Sequence, residues 1–133
     1  MGTHYTFSDM ANKNIIHTKS GQTIIPNAKW CNSFGSKFRG FTFRRDLGLT
    51  DGLVLVEKSD NKMNTSIHMM FVFFDLGVIW VNDAGEVVDK IVAKKWRLSY
   101  VPQAPARYVI EGHPTIIEQV DIGDHIEFRG SDA

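Results

Sequence analysis

The chain has 133 residues, 43% of them apolar and 23% charged, which is the composition of one globular domain that needs no disulfide or metal to stabilise its core. Its 15 basic and 15 acidic residues cancel, so net charge offers no attraction to nucleic acid or to an anionic membrane, and neither partner is expected. The one cysteine, Cys31, cannot form an internal disulfide, and we expect it to be a small core residue in a reducing compartment.

The N-terminal segment is polar and lacks the charged and apolar regions of a secretory signal. We therefore predict a loose leader at residues 1–13, a single β-rich domain at residues 14–133, and a cytoplasmic location. The longest apolar tract, Met69–Val81, is shorter than the roughly 20 residues that span a bilayer, and Asp75 interrupts it. We read this tract as the structural centre of the domain.

Short segments rich in β-branched and aromatic residues, bounded by turn residues, recur along the whole chain. They predict eight or nine short strands, at residues 14–18, 23–25, 28–34, 53–56, 66–73, 78–82, 86–93, 107–111 and 126–128, with residues 96–100 as a further strand or extended segment. Such a pattern is typical of a mostly β fold, and we predict a single small β-barrel or sandwich-like domain.

Turns and helices punctuate these strands. Short helical turns are predicted at Ser33–Arg39, before Gly40, and at Pro114–Gln119, where proline occupies the first turn. The turn Asn82–Gly85 predicts a hairpin with the glycine at positive φ. The polar run Glu57–Thr65 reads as a long surface loop, where function is often found.

Two polar residues stand out in the apolar tract. His68 lies at its head, either as an ordinary core or rim histidine or as a hydrogen-bond donor or general base. Asp75 is the one carboxylate inside the tract. If it is buried it must be paired or protonated, and we expect it to accept backbone hydrogen bonds at a turn or else to pair with Arg39, Arg44, Arg97 or Arg107. Further along, Trp96 and Arg97 combine an aromatic ring with a guanidinium, a common composition of binding surfaces.

No signature of a known catalytic or cofactor site accompanies these residues. The five histidines and one cysteine show no metal-ligand spacing, and the chain has no glycine-rich phosphate loop and no nucleophile motif. We therefore predict no metal and no cofactor.

Five segments in register resemble the motifs of the uncharacterised domain-of-unknown-function family 192. They are FRGFTFR at residues 38–44, TSIHMMFVFFDLGVIWVNDAGEVV at 65–88, KKWR at 94–97, PARYVIE at 105–111 and IGDHI at 122–126. The resemblance implies a small β-barrel or sandwich domain with a short helix, in prokaryotic proteins of which some are exported. It implies no established activity.

The resemblance also marks individual positions. Arg39, His68, Trp96–Arg97, Glu111 and Gly123–Asp124 fall on motif residues of the family. The chain departs from the family where Asp75 stands at a proline position and Gly77 at an aspartate position. If that aspartate is functional in the family, this chain has lost it or has moved the carboxylate by two residues, which in a strand keeps the same face.

These observations favour a small, non-catalytic β-domain that binds a small polar ligand or a protein partner. The predicted binding surface comprises Arg39, His68, Asp75, Trp96 and Arg97. One alternative is a hydrolase-like enzyme in which His68 forms an acid–base pair with Asp75 or Glu111. Another is a purely structural or interaction module, which an exposed apolar strand edge would favour.

Overall fold

The computed structural model describes residues 12–32, 46–69, 72–97 and 99–130. Within them the chain forms seven strands and one 3-10 helix: β1 Lys13–His17, β2 Thr23–Cys31, β3 Gly52–Asn61, β4 Leu76–Val81, β5 Val87–Ala93, β6 Ala106–Gly112, the 3-10 helix Pro114–Gln119 and β7 Ile126–Gly130. The predicted mostly β fold with a short helix is confirmed. The described part of the chain contains no helix with the length and apolar character needed to cross a membrane.

All seven strands belong to one sheet, in the order β5-β4-β6-β3-β2-β1-β7. Neighbouring strands are antiparallel, except that β2 and β3 run parallel. The residues before the two edge strands meet, because Glu86 forms a bridge with His125 and the Gly85 carbonyl accepts a 2.8 Å hydrogen bond from Ile126 N–H. The sheet therefore curls into a half-barrel.

Both faces of the central strands are buried, which explains the unbroken apolar run of β4. Ile79 and Val81 face one cluster, which includes Ile116 of the 3-10 helix, and we call this side of the sheet the helix face. Val78 and Trp80 face a second cluster on the opposite side, which we call the loop face because residues of the 62–75 connection cover it. A strand covered on both faces carries apolar residues at every position instead of alternating them with polar ones.

Three glycines form a row across the helix face where the 3-10 helix packs. Gly52 pairs with Gly112, and Gly112 pairs with Gly77, so the row crosses β3, β6 and β4. A Cβ atom on Gly77 would lie 2.6 Å from the His113 carbonyl oxygen and 2.8 Å from Ile116 Cγ1. The absence of side chains at Gly77 and Gly112 is therefore what allows the helix to approach the sheet, while Gly52 makes room for Ile25 of β2.

A hydrogen-bonded turn precedes β7 and ties it to β1. The Asp124 carboxylate accepts hydrogen bonds from the Asp121 backbone N–H at 2.8 Å and from His17 Nε2 at 2.9 Å. These two bonds, in that order of importance, hold the pKa of Asp124 below its usual range. The turn therefore favours an ionised carboxylate.

The predicted strand at residues 66–73 is wrong in its described part. Ile67 forms only an isolated bridge with Tyr100, and residues 72–75 lead into β4 without joining the sheet. Ile67, Met69 and Val72 are nevertheless buried, because they cover the loop face. Their apolar character reflects packing onto a sheet, and not strand pairing within it.

The extended segment predicted at residues 96–100 is also not a strand. The chain turns at residues 95–96, where Trp96 has φ of 65°, a left-handed value that bulky residues rarely adopt. Only Tyr100 then forms a bridge.

Several other boundaries differ from the predictions. The two strands predicted at residues 23–25 and 28–34 form one strand, β2, with Asn27 at φ of 54° where the register shifts. The predicted loop at residues 57–65 is half strand, because β3 continues to Asn61. The helix predicted at Ser33–Arg39 lies outside the described residues.

Other predictions are confirmed. The Asn82–Gly85 turn joins β4 to β5, with Gly85 at φ of 88°. The helix at Pro114–Gln119 is present as a 3-10 helix. Cys31 is fully buried at the end of β2.

Candidate functional site

Four connections meet at one end of the sheet, where β3 and β4 begin and β5 and β6 end. Together they form the walls of an open cleft of about 390 Å³, a volume within the usual range for small-molecule sites. Its lining residues are Asp46, Leu47, Phe73, Phe74, Asp75, Lys95, His113 and Pro114. The cleft therefore combines aromatic and aliphatic walls with four ionisable side chains.

The apolar wall of the cleft continues the loop-face core outward. Leu47 and Phe74 are half-buried and pack against the loop-face cluster. Phe73 is 40% exposed, and its ring meets the 45% exposed Trp96 edge-on with centroids 5.7 Å apart. This pair forms an aromatic rim that a ligand or a partner can contact without displacing core residues.

Asp75 connects two walls of the cleft. Its Oδ1 accepts a 2.9 Å hydrogen bond from the Lys95 backbone N–H, and its Oδ2 lies 3.5 Å from Lys94 Nζ. Asp75 thus accepts a backbone hydrogen bond, as the sequence indicated, but from a turn that lies 20 residues further along the chain. Its cation among the described residues is a lysine and not an arginine.

His113 is the N-cap residue of the 3-10 helix and also lines the cleft. Its Nδ1 accepts a 3.2 Å hydrogen bond from the Thr115 backbone N–H and lies 2.9 Å from Thr115 Oγ1. Because Nδ1 accepts, the neutral imidazole carries its proton on Nε2. His113 therefore supplies an N–H donor that no other described residue uses.

Glu111 is the buried acidic residue among those that the structure describes, with 6% of the residue exposed. It lies on β6 two residues before His113, in register with Leu53 and Val78, both of the loop-face cluster. No hydrogen bond or ion pair joins its carboxyl group to another side chain of the described part. Burial raises the pKa of Glu111 to about 7, because the ionised form loses its hydration and the apolar surroundings do not replace it.

Three of the predicted site residues lie along one strip beside the cleft. The backbone on either side of His68 is bonded to the 96–100 segment, since Ile67 N–H donates to the Tyr100 carbonyl oxygen at 2.9 Å and Met69 N–H donates to that of Arg97 at 3.0 Å. His68 and Arg97 are exposed, and the Arg97 guanidinium lies over the Tyr100 ring at 5.3 Å.

The other two predicted residues differ in what the structure says of them. Asp75 lines the cleft itself, whereas Arg39 lies outside the described residues. In the described part no hydrogen bond joins His68 to Asp75 or to Glu111, and the acid–base pair of the hydrolase alternative stays a prediction from the sequence. Among the described residues, no group of three or more His, Cys, Asp or Glu side chains is arranged to hold a metal ion.

Sequence reasoning missed the contribution of Lys95, His113 and the 46–47 segment to the cleft. Each of these residues follows or precedes a strand, and only the antiparallel register brings those strand ends together. A prediction of the strand order could have found them, because β3, β4, β5 and β6 place these termini at the same end of the sheet.

The curled sheet and the loop-lined cleft at its end define a class: a small half-barrel β-domain with a ligand-sized cleft and no recognised catalytic motif. The chain belongs to domain-of-unknown-function family 192, described as Uncharacterized ACR, whose sequence profile matches residues 15–128. The resemblance noted in the sequence is therefore confirmed, and the family has no characterised function.

Archaeal relatives support this assignment. The chain is 35% identical to a UPF0127 protein of Thermococcus kodakarensis over 116 residues, covering 86% of this chain and 72% of the relative. It is 34% identical to a UPF0127 protein of Pyrococcus furiosus over 117 residues, covering 86% and 97%.

The structures are similar in fold alone. The first is titled a putative transcription regulator from Sinorhizobium meliloti, with a TM-score of 0.74, 16% identity and coverage of 89% of this chain and 92% of the other. The second is a protein of unknown function from Novosphingobium aromaticivorans, with a TM-score of 0.69, 18% identity and coverage of 95% and 99%.

Proposed function

We propose that this protein is a non-catalytic binding domain whose cleft receives a small polar ligand. The observation that supports the proposal is the cleft of about 390 Å³, in which aromatic walls and ionisable side chains converge from four connections. Small-molecule sites combine mainly apolar walls with a few polar groups that fix the orientation of the ligand. The polar groups here are Asp46, Asp75, Lys95 and His113.

The predicted surface enters this proposal in two parts. Asp75 belongs to the cleft, and Trp96 extends its rim through the contact with Phe73. His68 and Arg97 form an outer extension along the neighbouring strip. A role for Arg39 stays a prediction from the sequence.

A protein partner is the second candidate, and the exposed Phe73–Trp96 pair favours it. Two adjoining aromatic rings that are 40% and 45% exposed are the kind of anchor that dominates protein interfaces. Partner binding by strand addition is less supported at the β5 edge. There the Gln103 side-chain amide donates to the Val88 carbonyl oxygen at 2.9 Å, which occupies part of the edge.

A fragment screen by thermal shift and by 1H–15N NMR tests the cleft proposal. A ligand that binds only the folded protein raises the apparent stability by roughly 2.7 kcal/mol at a hundred times its dissociation constant. Leu47→Trp adds bulk to a cleft wall and should abolish the shift. Leu49→Trp is the matched control, because Leu49 is 66% exposed and does not line the cleft. Fragments that stabilise both variants equally would refute the proposal.

A cytoplasmic location is also proposed, and the single, fully buried Cys31 supports it, since such a thiol fits a reducing compartment. Fractionation of the native host with an antibody against the protein tests it. Recovery from the periplasmic or culture fraction would contradict it.

A further inference from the structure

The polar groups of the cleft divide into acceptors that are already engaged and donors that are not. Both Asp75 oxygens have partners, in the Lys95 backbone N–H at 2.9 Å and Lys94 Nζ at 3.5 Å. Asp46, the other lining carboxylate, also has a partner within the protein. The Asp75 carboxylate therefore holds two walls of the cleft together, and Asp46 is also engaged within the protein.

The two lining donors stand in contrast. Lys95 is exposed, and its ammonium group forms no ion pair with the described residues. His113 presents Nε2–H, because its Nδ1 is fixed as the acceptor of the Thr115 N–H. A positively charged donor and a neutral N–H donor thus share one cleft, and neither is bonded to an acceptor among the described residues.

The apolar wall of the cleft determines the shape and polarity of the part of the ligand that does not bind the two donors. Phe73, Phe74, Leu47 and Pro114 contribute two rings and two aliphatic surfaces to the same cleft. Aromatic side chains favour flat partners that stack in an offset arrangement or meet them edge-on. A molecule that satisfies both halves of the cleft has a flat apolar body and a compact group that accepts hydrogen bonds.

We infer that the cleft selects a small organic carboxylate with a flat apolar body. Its carboxylate accepts hydrogen bonds from Lys95 Nζ and His113 Nε2, and its body lies against the two phenylalanine rings. Charge-assisted hydrogen bonds to a carboxylate are about twice as strong as neutral ones, so the cleft should bind an anionic ligand more tightly than a neutral one of the same shape. This inference rests on the proposed binding function and adds the chemical class of the ligand.

The probes are benzoate, benzyl alcohol and benzylamine, which share one ring and differ in the charge of the substituent. Titrations followed by 1H–15N NMR at about pH 6 keep Glu111 neutral, since burial raises its pKa to about 7. Benzoate is expected to bind roughly tenfold or more tightly than either of the others, with shifts at residues of the cleft. A factor of ten corresponds to one charge-assisted hydrogen bond retained.

Three lysine variants separate charge in the cleft from charge elsewhere. Lys95→Met should weaken benzoate roughly tenfold. Lys58→Met, which removes an exposed lysine of β3 far from the cleft lining, should not change it. Lys94→Met removes the cation beside Asp75, so it should weaken benzoate and strengthen benzylamine. All three side chains are exposed, and circular dichroism confirms that the variants fold.

The outcomes separate this inference from the proposed function. Tighter binding of benzoate that is lost in Lys95→Met supports the inference. Tighter binding of benzylamine or benzyl alcohol, or no binding of benzoate, overturns it. The cleft proposal stands in those cases if the fragment screen finds ligands that Leu47→Trp excludes. It falls if every fragment found stabilises Leu47→Trp and Leu49→Trp equally, or if no fragment binds.

Discussion

Glu111 should make this protein less stable as the pH rises from acid to neutral, which is the reverse of the usual behaviour of a carboxylate in a folded protein. Glu111 is buried, with 6% of the residue exposed, and it pairs with Leu53 and Val78 on the neighbouring strands. Unfolding returns the group to water. The folded and unfolded states therefore hold the Glu111 proton with different affinity.

The size of the effect follows from the two pKa values. The ordinary pKa of 4.5 applies to the unfolded chain, and burial raises the pKa of Glu111 to about 7 in the folded one. At about 1.4 kcal/mol for each pH unit between these values, the contribution amounts to about 3 kcal/mol. This contribution of Glu111 to the free energy of unfolding is fully present below pH 4.5. It is lost progressively as the unfolded state releases the Glu111 proton, and it is absent above pH 7.

The substitution Glu111→Gln removes the titration and keeps the shape of the protonated side chain. Urea denaturation at about pH 4, 6 and 8 gives the free energy of unfolding of each protein. The variant should match the parent near pH 4 and exceed it by about 3 kcal/mol near pH 8. Glu118→Gln is the control, because Glu118 is an exposed glutamate of the 3-10 helix, and it should leave the pH dependence of the parent unchanged.

Two results would refute this reasoning. The first is a parent and a Glu111→Gln variant whose free energies of unfolding change with pH in parallel. The second is a variant that is less stable than the parent near pH 8. Either outcome would mean that the Glu111 carboxylate is accommodated as an ion in the folded state.

Three further predictions concern packing and the turn before β7. Gly77→Ala should lower the free energy of unfolding by roughly 1–3 kcal/mol, because its methyl group overlaps the 3-10 helix. Gly130→Ala, where an added Cβ meets no atom within 4 Å, should stay within about 0.5 kcal/mol, as urea denaturation would show. Trp80→Phe should cost roughly 1–3 kcal/mol by the same assay, because the buried Thr65 carbonyl loses its 2.7 Å bond from Nε1–H, and an unchanged midpoint would contradict this. Asp124→Asn should flatten acid unfolding below pH 3.8, since the lowered pKa of the aspartate gives stability that is lost as the pH falls through it. Circular dichroism during acid titration checks this, and curves of equal steepness would refute it.

The elements that the sequence predicted correctly are those that local chemistry determines. The β4–β5 hairpin follows from a turn that needs a positive φ at Gly85, and the 3-10 helix follows from a proline in its first turn. The strand predictions were wrong for residues that are buried but do not pair with a neighbouring strand. Residues such as Met69 are apolar because they cover a sheet, and hydropathy alone does not distinguish a covering segment from a member of the sheet.

The candidate site was predictable only in part, for a related reason. Asp75 was identifiable because a carboxylate in an apolar tract requires a partner. Lys95 and His113 carry no such signal, since a lysine near a turn and a histidine before a proline are ordinary surface residues. Their significance depends on the strand order β5-β4-β6-β3, which brings them to one end of the sheet through pairings between distant parts of the chain.

At Asp75 and Gly77 the sequence resemblance predicts a departure from the family motif, and in the structure both residues have a structural role. Gly77 lies in the glycine row beneath the 3-10 helix, so an aspartate there would place its Cβ 2.6 Å from the His113 carbonyl oxygen. Asp75 holds the Lys95 turn by a hydrogen bond, which a proline, with no carboxylate, would remove. Restoring the family residues at both positions would therefore disturb two walls of the cleft at once. The closely packed helix positions His113, and the Asp75 carboxylate positions the backbone that carries Lys95.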